Sequence, residues 1–426
     1  MSPTRLPAMA PLLQYSGPDA DFAGFPDPAR FSPEFGESQF RSAARRTNDD
    51  PAPRLLSLHL HLPFDAGTVD RGRSQACFHR LARECEMVAP LFDRDRDVVQ
   101  LQLDGLAGEP AGDVLGELLH AVSRYFFLSH SGTREFLIAL PGGVHGTEAL
   151  SVLVDLGFNR VRFSLPPAAA DRDAVALLER SVAAAREAGF RSIGLDLVYG
   201  LPLGSDAEFD AGLHRLLGLR VDRINLRCRE HPGHAAEAAA PSAERVLRHA
   251  VAARALLAAG YETLGLDVFA LPQDDLPRAR RRGLLHHNWL GFVPQAPTDL
   301  IGLGVGARSR IGDACFQSYA ELTAWESSID MGDLPVWRGL QLDADARLRN
   351  DLLQALLCTG RVDLDQLQQQ HDIVFTDYFR DELAALQPLQ AAGLVQLDAH
   401  ELQLGPQGRL ALQAICSPFG AAGRRA

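Results

Sequence analysis

The stretch LSLHLHLPF, residues 56–64, alternates leucine with serine or histidine and then meets a proline. Successive side chains of a strand leave on opposite faces, so Leu58, Leu60 and Leu62 share one face and His59 and His61 the other. The leucines suit a face packed under helices. The histidines then point into the interior of a barrel, where branched apolar residues are usual. Two readings of this pair stand side by side. One is a hydrogen-bonded interior pair. The other is a divalent-metal site in which Asp65 adds a carboxylate.

Working outward, extended apolar segments recur near 55–62, 97–103, 135–140, 160–165, 191–198, 222–228 and 262–269. Helical patterns lie between them, near 75–92, 112–127, 144–156, 170–189, 205–218 and 242–260. Such alternation indicates parallel strands joined by crossover helices. The predicted fold class is α/β, a full or partial barrel, with an open doubly wound sheet as the alternative. Residues 1–54 read as an irregular arm laid over the barrel, and 55–340 as the barrel with covering loops. Residues 270–340 break the rhythm and read as loops and short elements over one end of the sheet. From 341 to 426, three helices, a hairpin with its turn near Asp398–His400 and one more helix suggest a small helical, winged-helix-like domain. Residues 341–418 hold five arginines against eleven acids, which favours docking over DNA binding.

The chain has 426 residues and a net charge of -12, and its 42 basic residues are all arginine. This argues against a nucleic-acid partner. No apolar run is long enough to span a membrane, and no secretory leader is evident, so a cytoplasmic setting is expected. Cys77, Cys85, Cys228, Cys315, Cys358 and Cys416 are scattered, with no Cys-x-x-Cys pair, and read as buried thiols.

Several residues offer chemistry. Asp196 and Asp267 sit at strand C-terminal ends, where barrel sites gather; each could equally order the following turn. Gly302, Gly304 and Gly306 form GLGVG, either a close approach to a ligand or tight packing at the barrel mouth. His286, His287 and Asn288 lie in a loop that either packs or touches substrate.

The chain resembles the oxygen-independent coproporphyrinogen III oxidase family of radical S-adenosylmethionine enzymes. The resemblance runs from YSGPDADFAGFPDPARFSPEFGE through LSLHLHLPF, APLF, LGFNRVRFS, GLDLVYGLP, LGLDVFALPQDDL, GLLHHNWLGF, TDLIGLGVGARSRIGD and VWRGL to DYFRDELAALQPLQAAGLVQL. It implies a radical-SAM-type partial barrel, haem biosynthesis, a [4Fe–4S] cluster and S-adenosylmethionine, and it assigns Asp196 to the family's active site. His61 matches a family histidine, and His59 replaces a tyrosine.

The departures fall in the motifs that carry the family's reaction. The resemblance places three cluster cysteines at 65, 69 and 72 and a fourth nearby cysteine at 74. This chain has Asp65, Val69, Gly72 and Ser74 there. The family's glycine-rich strand end aligns with DGLAGE, putting Asp104 and Leu106 where glycines stand. Ala139 replaces a SAM-contacting glutamate, and Pro166 a glutamine. The expectation is therefore a cluster-free pseudoenzyme with no cofactor and no catalytic residue, binding a tetrapyrrole or a haem-pathway protein. The alternatives are an active oxidase with a non-standard cluster, and a metal-dependent hydrolase using His59, His61 and Asp65. The pocket residues expected are Asp196, Tyr199, Asp267, His286, Asn288, Gly302, Gly304 and Arg308, with Arg308 or Arg310 pairing propionates. Glu382 reads as exposed.

Overall fold

A computed structural model describes residues 24–62, 71–106, 112–143, 145–164, 172–199, 206–227 and 242–420. Asp65, Val69, Pro166 and Cys228 lie outside the described residues.

An arm carrying helix α1 (Glu37–Asn48) leads into six strand–helix pairs. These are β1 (Leu56–His61) with α2 (Arg71–Val88), β2 (Val98–Asp104) with α3 (Gly112–Tyr125), and β3 (Glu135–Pro141) with α4 (Thr147–Asp155). They continue as β4 (Arg160–Ser164) with α5 (Arg172–Ala188), β5 (Ser192–Val198) with α6 (Asp206–Gly218), and β6 (Arg223–Arg227) with α7 (Ser242–Ala258). Neighbouring strands from β1 to β6 are parallel. The alternation of β1 decides its burial: Leu58 and Leu60 are fully enclosed in the sheet–helix core, while His59 and His61 stay partly accessible on the other face.

The seventh apolar segment is not a seventh parallel strand. It folds into a hairpin of β7 (Glu262–Gly265) and β8 (Val268–Ala270), and β8 pairs antiparallel with β6. The turn between them holds Leu266 and Asp267 at φ 50° and 60°. Aspartate tolerates that left-handed conformation better than most residues.

Residues 270–340 depart further from the sequence reading. After α8 (Asp275–Arg281) and the small ribbon of β9 (His286–Asn288) and β10 (Gly291–Val293), strand β11 (Asp299–Gly304) enters the main sheet. It lies parallel to β1, pairing His59 with Gly302 and His61 with Gly304. Strands β12 (Arg308–Ile311), β13 (Ala314–Ser318) and, after helix α9 (Leu322–Met331), β14 (Val336–Gln341) continue as an antiparallel meander. From Asp299 on, these residues extend the sheet, while α8 and the β9–β10 ribbon stay outside it as short elements. A meander needs no crossover helices, so the strand–helix rhythm stops while the sheet continues. The resulting order is β14-β13-β12-β11-β1-β2-β3-β4-β5-β6-β8-β7.

The arm closes one edge. Ser32 exchanges backbone hydrogen bonds with Gly339 of β14, and Phe40 of α1 packs its ring against Phe316 and Phe92. The C-terminal elements are α10 (Ala344–Cys358), β15 (Arg361–Asp363), α11 (Leu364–His371), α12 (Phe375–Tyr378), α13 (Arg380–Ala391), β16 (Val395–Leu397), β17 (Glu401–Leu404) and α14 (Leu412–Gly420). Three of them form the antiparallel sheet β15-β17-β16. Arg349 of α10 is enclosed between Asp345 and Glu382, at 2.9 and 2.8 Å, and lies against the Phe379 ring. Glu382 therefore has a buried partner and is not the exposed residue expected.

Arg96 joins three of these parts. Its guanidinium binds Asp299 of β11 at 2.5 Å, with both side chains 1% exposed. It also donates to the carbonyl of Arg54 before β1 and to Thr47 and Asn48 of α1. Asp299 in turn accepts from the Gly312 amide. Removing one member of such a pair leaves a buried charge without compensation. Arg96→Ala is expected to destabilise the fold by about 3–5 kcal/mol, measured from chemical-denaturation curves. A loss below about 1 kcal/mol would place the pair among those that contribute little.

Candidate functional site

The parallel register sets His61 beside Asp104 and His59 beside Gln102 at the C-terminal ends of β1 and β2. Both imidazoles turn toward one carboxylate oxygen. His59 Nε2 lies 3.0 Å and His61 Nδ1 2.5 Å from Asp104 Oδ1. Gln102 Nε2 donates to the other oxygen at 2.6 Å. Burial works to raise the pKa of the Asp104 carboxyl, but the neighbouring His59 and His61 hold it well below the usual range.

Two glycines let the backbone close in around this strand end. Gly105 has φ +74°, and a Cβ there would fall 1.6 Å from the Leu62 carbonyl oxygen. Gly304 has φ +106°, and its Cβ would fall 1.9 Å from the His61 carbonyl oxygen. Gly304 and Gly302 thus serve strand-to-strand contact, since a Cβ at Gly302 would strike the Arg308 backbone.

The other strand-end acids sit apart from this cluster. Asp196 of β5 is gripped by Arg227 and Arg162 at 3.1 and 3.3 Å and by Asn225 at 2.7 Å. Its burial is outweighed by Arg227 and Arg162, so its pKa is lowered. Asp267 accepts from His249 Nε2 at 2.7 Å, and His249 lies against the Tyr199 ring. Burial opposes protonation of His249, but Asp267 overcomes it and raises its pKa. Ala139 sits in β3 beside Arg162 of β4.

A different region holds a cleft of about 700 Å³, at the opposite end of the strands from His61 and Asp104. Arg54 and Thr298, which precede β1 and β11, line it together with Arg310, the β9 residues His286, His287 and Asn288, and helices α10 and α11. Burial drives the imidazole of His286 down to about 3 and that of His287 down to about 4, so both are neutral. Asn288 donates to Gln100, anchoring the ribbon on β2. Arg310 donates to Asn350 at 2.8 Å. Among the described residues, neither Arg54 nor Arg310 has a carboxylate partner. Phe25 and Trp289 add aromatic surface. Arg308 does not line the cleft, and its guanidinium lies over the Trp289 ring at 5.7 Å.

Of the expected pocket residues, His286 and Asn288 meet in this cleft, with Arg310 beside them. Asp196, Tyr199, Asp267, Gly302, Gly304 and Arg308 do not line it. Arg54 went unnoticed in the sequence, where nothing marks an arm residue as a neighbour of α10. Asp104 was noticed only as a lost glycine; aligning the two parallel strand ends would have set it beside His61.

The described cysteines make no ligand cluster. Cys77 and Cys85 of α2 are enclosed in the core, and Cys315, Cys358 and Cys416 are also buried. Gly72, the second residue of α2, is exposed.

Comparison with known proteins places these features. A family model described as HemN C-terminal domain matches residues 342–411. The oxygen-independent coproporphyrinogen III oxidase of Salmonella typhimurium is 31% identical over 97% of this chain and 94% of its own. The Escherichia coli protein of the same name is 32% identical at the same coverage. The solved structure of coproporphyrinogen III oxidase (HemN) from Escherichia coli superposes with a TM-score of 0.84 at 29% identity. The match covers 98% of this chain and all of that one, which is titled a radical SAM enzyme. This overturns the expectation of a chain with no cofactor. That expectation rested on side-chain identity at a few motif positions, whereas the scaffold of a cofactor-dependent enzyme is present nearly end to end. The described thiols, buried and dispersed, do not fit a cluster.

One buried acid lies close behind Gly304. Glu84 of α2 accepts from the Gly304 amide at 2.8 Å and from Trp325 Nε1 at 2.9 Å. Burial pushes its carboxyl up to about 8, against both donors. The folded state then keeps a proton that the unfolded chain loses above the ordinary value of 4.5. Stability from this group is full below that value and falls as pH rises through about 8. Glu84→Gln should flatten this decline in denaturation midpoints measured from pH 5 to 9 (an assay range of about four units). An unchanged slope would show that Glu84 is ionised in the fold.

Proposed function

The chain belongs to the oxygen-independent coproporphyrinogen III oxidase family, and we propose that within it this protein binds a tetrapyrrole in the cleft between the barrel and helices α10 and α11. Binding without turnover is the role proposed. The oxidative reaction of the named relatives is left aside because Asp65, Val69 and Gly72 stand where the resemblance places thiolates.

The observation that carries it is the pair Arg54 and Arg310, which line a cleft of about 700 Å³ and have no carboxylate partner among the described residues. Guanidinium groups pair well with carboxylates, and the substrate named for the relatives carries propionate side chains. The volume is within the range of small-molecule sites. Phe25 and Trp289 offer apolar surface to a macrocycle, and His286 and His287 add no competing charge.

Titration with coproporphyrin or haem should shift the Soret band to a saturable endpoint near one ligand per chain. Arg310→Ala and Arg54→Ala should each weaken binding by about 10- to 100-fold, the range for a lost charge-assisted hydrogen bond. Asp381→Asn, an exposed change, should leave it unaltered. A response that does not saturate, or that ignores both arginines, would overturn the proposal. Recovery of a haem-pathway protein in its place would shift the reading to a docking partner.

A further inference from the structure

His59, His61 and Asp104 form a second constellation, at the opposite end of the strands from the cleft and independent of its occupant. Their ligand atoms, an imidazole nitrogen from each histidine and one carboxylate oxygen, all lie within 4.8 Å of one another. The side chains are 16%, 23% and 18% exposed, which leaves them reachable from the barrel interior. The backbone already pairs β1 with β2 from Leu56 to His61, so joining the strands needs no side-chain clamp. Both histidines nevertheless converge on Asp104 Oδ1. Gln102 holds Oδ2 at 2.6 Å and so presents Oδ1 to them. Ligand carboxylates are commonly steadied by a second hydrogen bond of this kind.

We propose that His59, His61 and Asp104 bind a divalent transition-metal ion at the C-terminal ends of β1 and β2. Two nitrogens and one oxygen make a borderline donor set, suited to zinc or ferrous iron and to cobalt as a probe. Three protein ligands leave coordination positions open toward the barrel interior. The carboxylate is that of Asp104 on the neighbouring strand; Asp65 lies outside the described residues. His59 and Asp104 distinguish this chain, since the family resemblance places a tyrosine and a glycine there.

The test uses the full chain without an affinity tag, stripped with a chelator and titrated anaerobically with Co²⁺ and then Zn²⁺. The expected result is about one Co²⁺ per chain with visible ligand-field bands, displaced by Zn²⁺. His59→Tyr, which introduces the residue natural to the scaffold, should abolish the bands and weaken binding at least about 100-fold while leaving the thermal midpoint near that of the unmodified chain. Asp104→Asn should act in the same direction, and Gln102→Ala should weaken binding about tenfold. The cleft variant Arg310→Ala should leave cobalt binding unchanged, which separates this site from the tetrapyrrole reading. Stoichiometric binding that survives His59→Tyr would overturn the proposal. So would no binding tighter than about 100 μM, or iron retained only together with acid-labile sulfide.

Discussion

The contact between Arg96 and Asp299 governs how the two halves of the sheet meet. A strand late in the chain must find its place beside β1, and the parallel ladder alone would not prevent a slip by two residues. An enclosed carboxylate that finds its guanidinium in one register supplies the missing discrimination. The same guanidinium holds the start of β1 and the end of α1, so arm, barrel and meander share one anchor. With β11 so placed, Gly302 and Gly304 fall where their neighbours leave no room for a Cβ.

That register divides the protein's polar chemistry between two ends. One end of β1 presents His59 and His61 next to Asp104. The other opens onto the cleft, where Arg54 and Arg310 meet helices α10 and α11. At the N-terminal ends of β3, β4 and β6, Glu135, Arg160 and Arg223 join Asp274 and Asp275 in linked ion pairs. Apolar residues there would pack as well, but these fix the side chains of β3, β4 and β6 by directional bonds.

Much of this was legible in the chain. The six strand–helix pairs announced themselves because each strand is buried on one or both faces and each crossover helix repeats its apolar stripe. The facing of His59 and His61 followed from the two-residue period of a strand. The meander from β11 to β14 was not legible, because its strands are short and its connections carry no helical pattern. The cleft could not be read at all: Arg54, Arg310 and Asn350 come from the arm, the meander and the C-terminal elements, and only the folded chain joins them. Glu382 misled for a similar reason. Its surroundings in sequence are polar, and its partner Arg349 lies 33 residues away. The motif departures at Asp65, Val69, Gly72 and Ala139 were visible, but they describe a few positions, while the kinship runs through the entire scaffold.

The seam between the arm and β14 bears on the order in which the protein is made. Ser32 and Gly339 exchange two backbone hydrogen bonds, and Glu37 caps the amide of Leu334 across 297 residues. On the ribosome the arm emerges before β1, and its strand partner emerges only after β13. Throughout that interval the apolar side of α1, with Phe40, has nothing of β13 or β14 to cover it. Surfaces of this kind are what chaperones recognise in nascent chains. The arm can therefore close this edge only once β14 has been made, and a ribosome that stalls before β14 releases a chain whose edge cannot close.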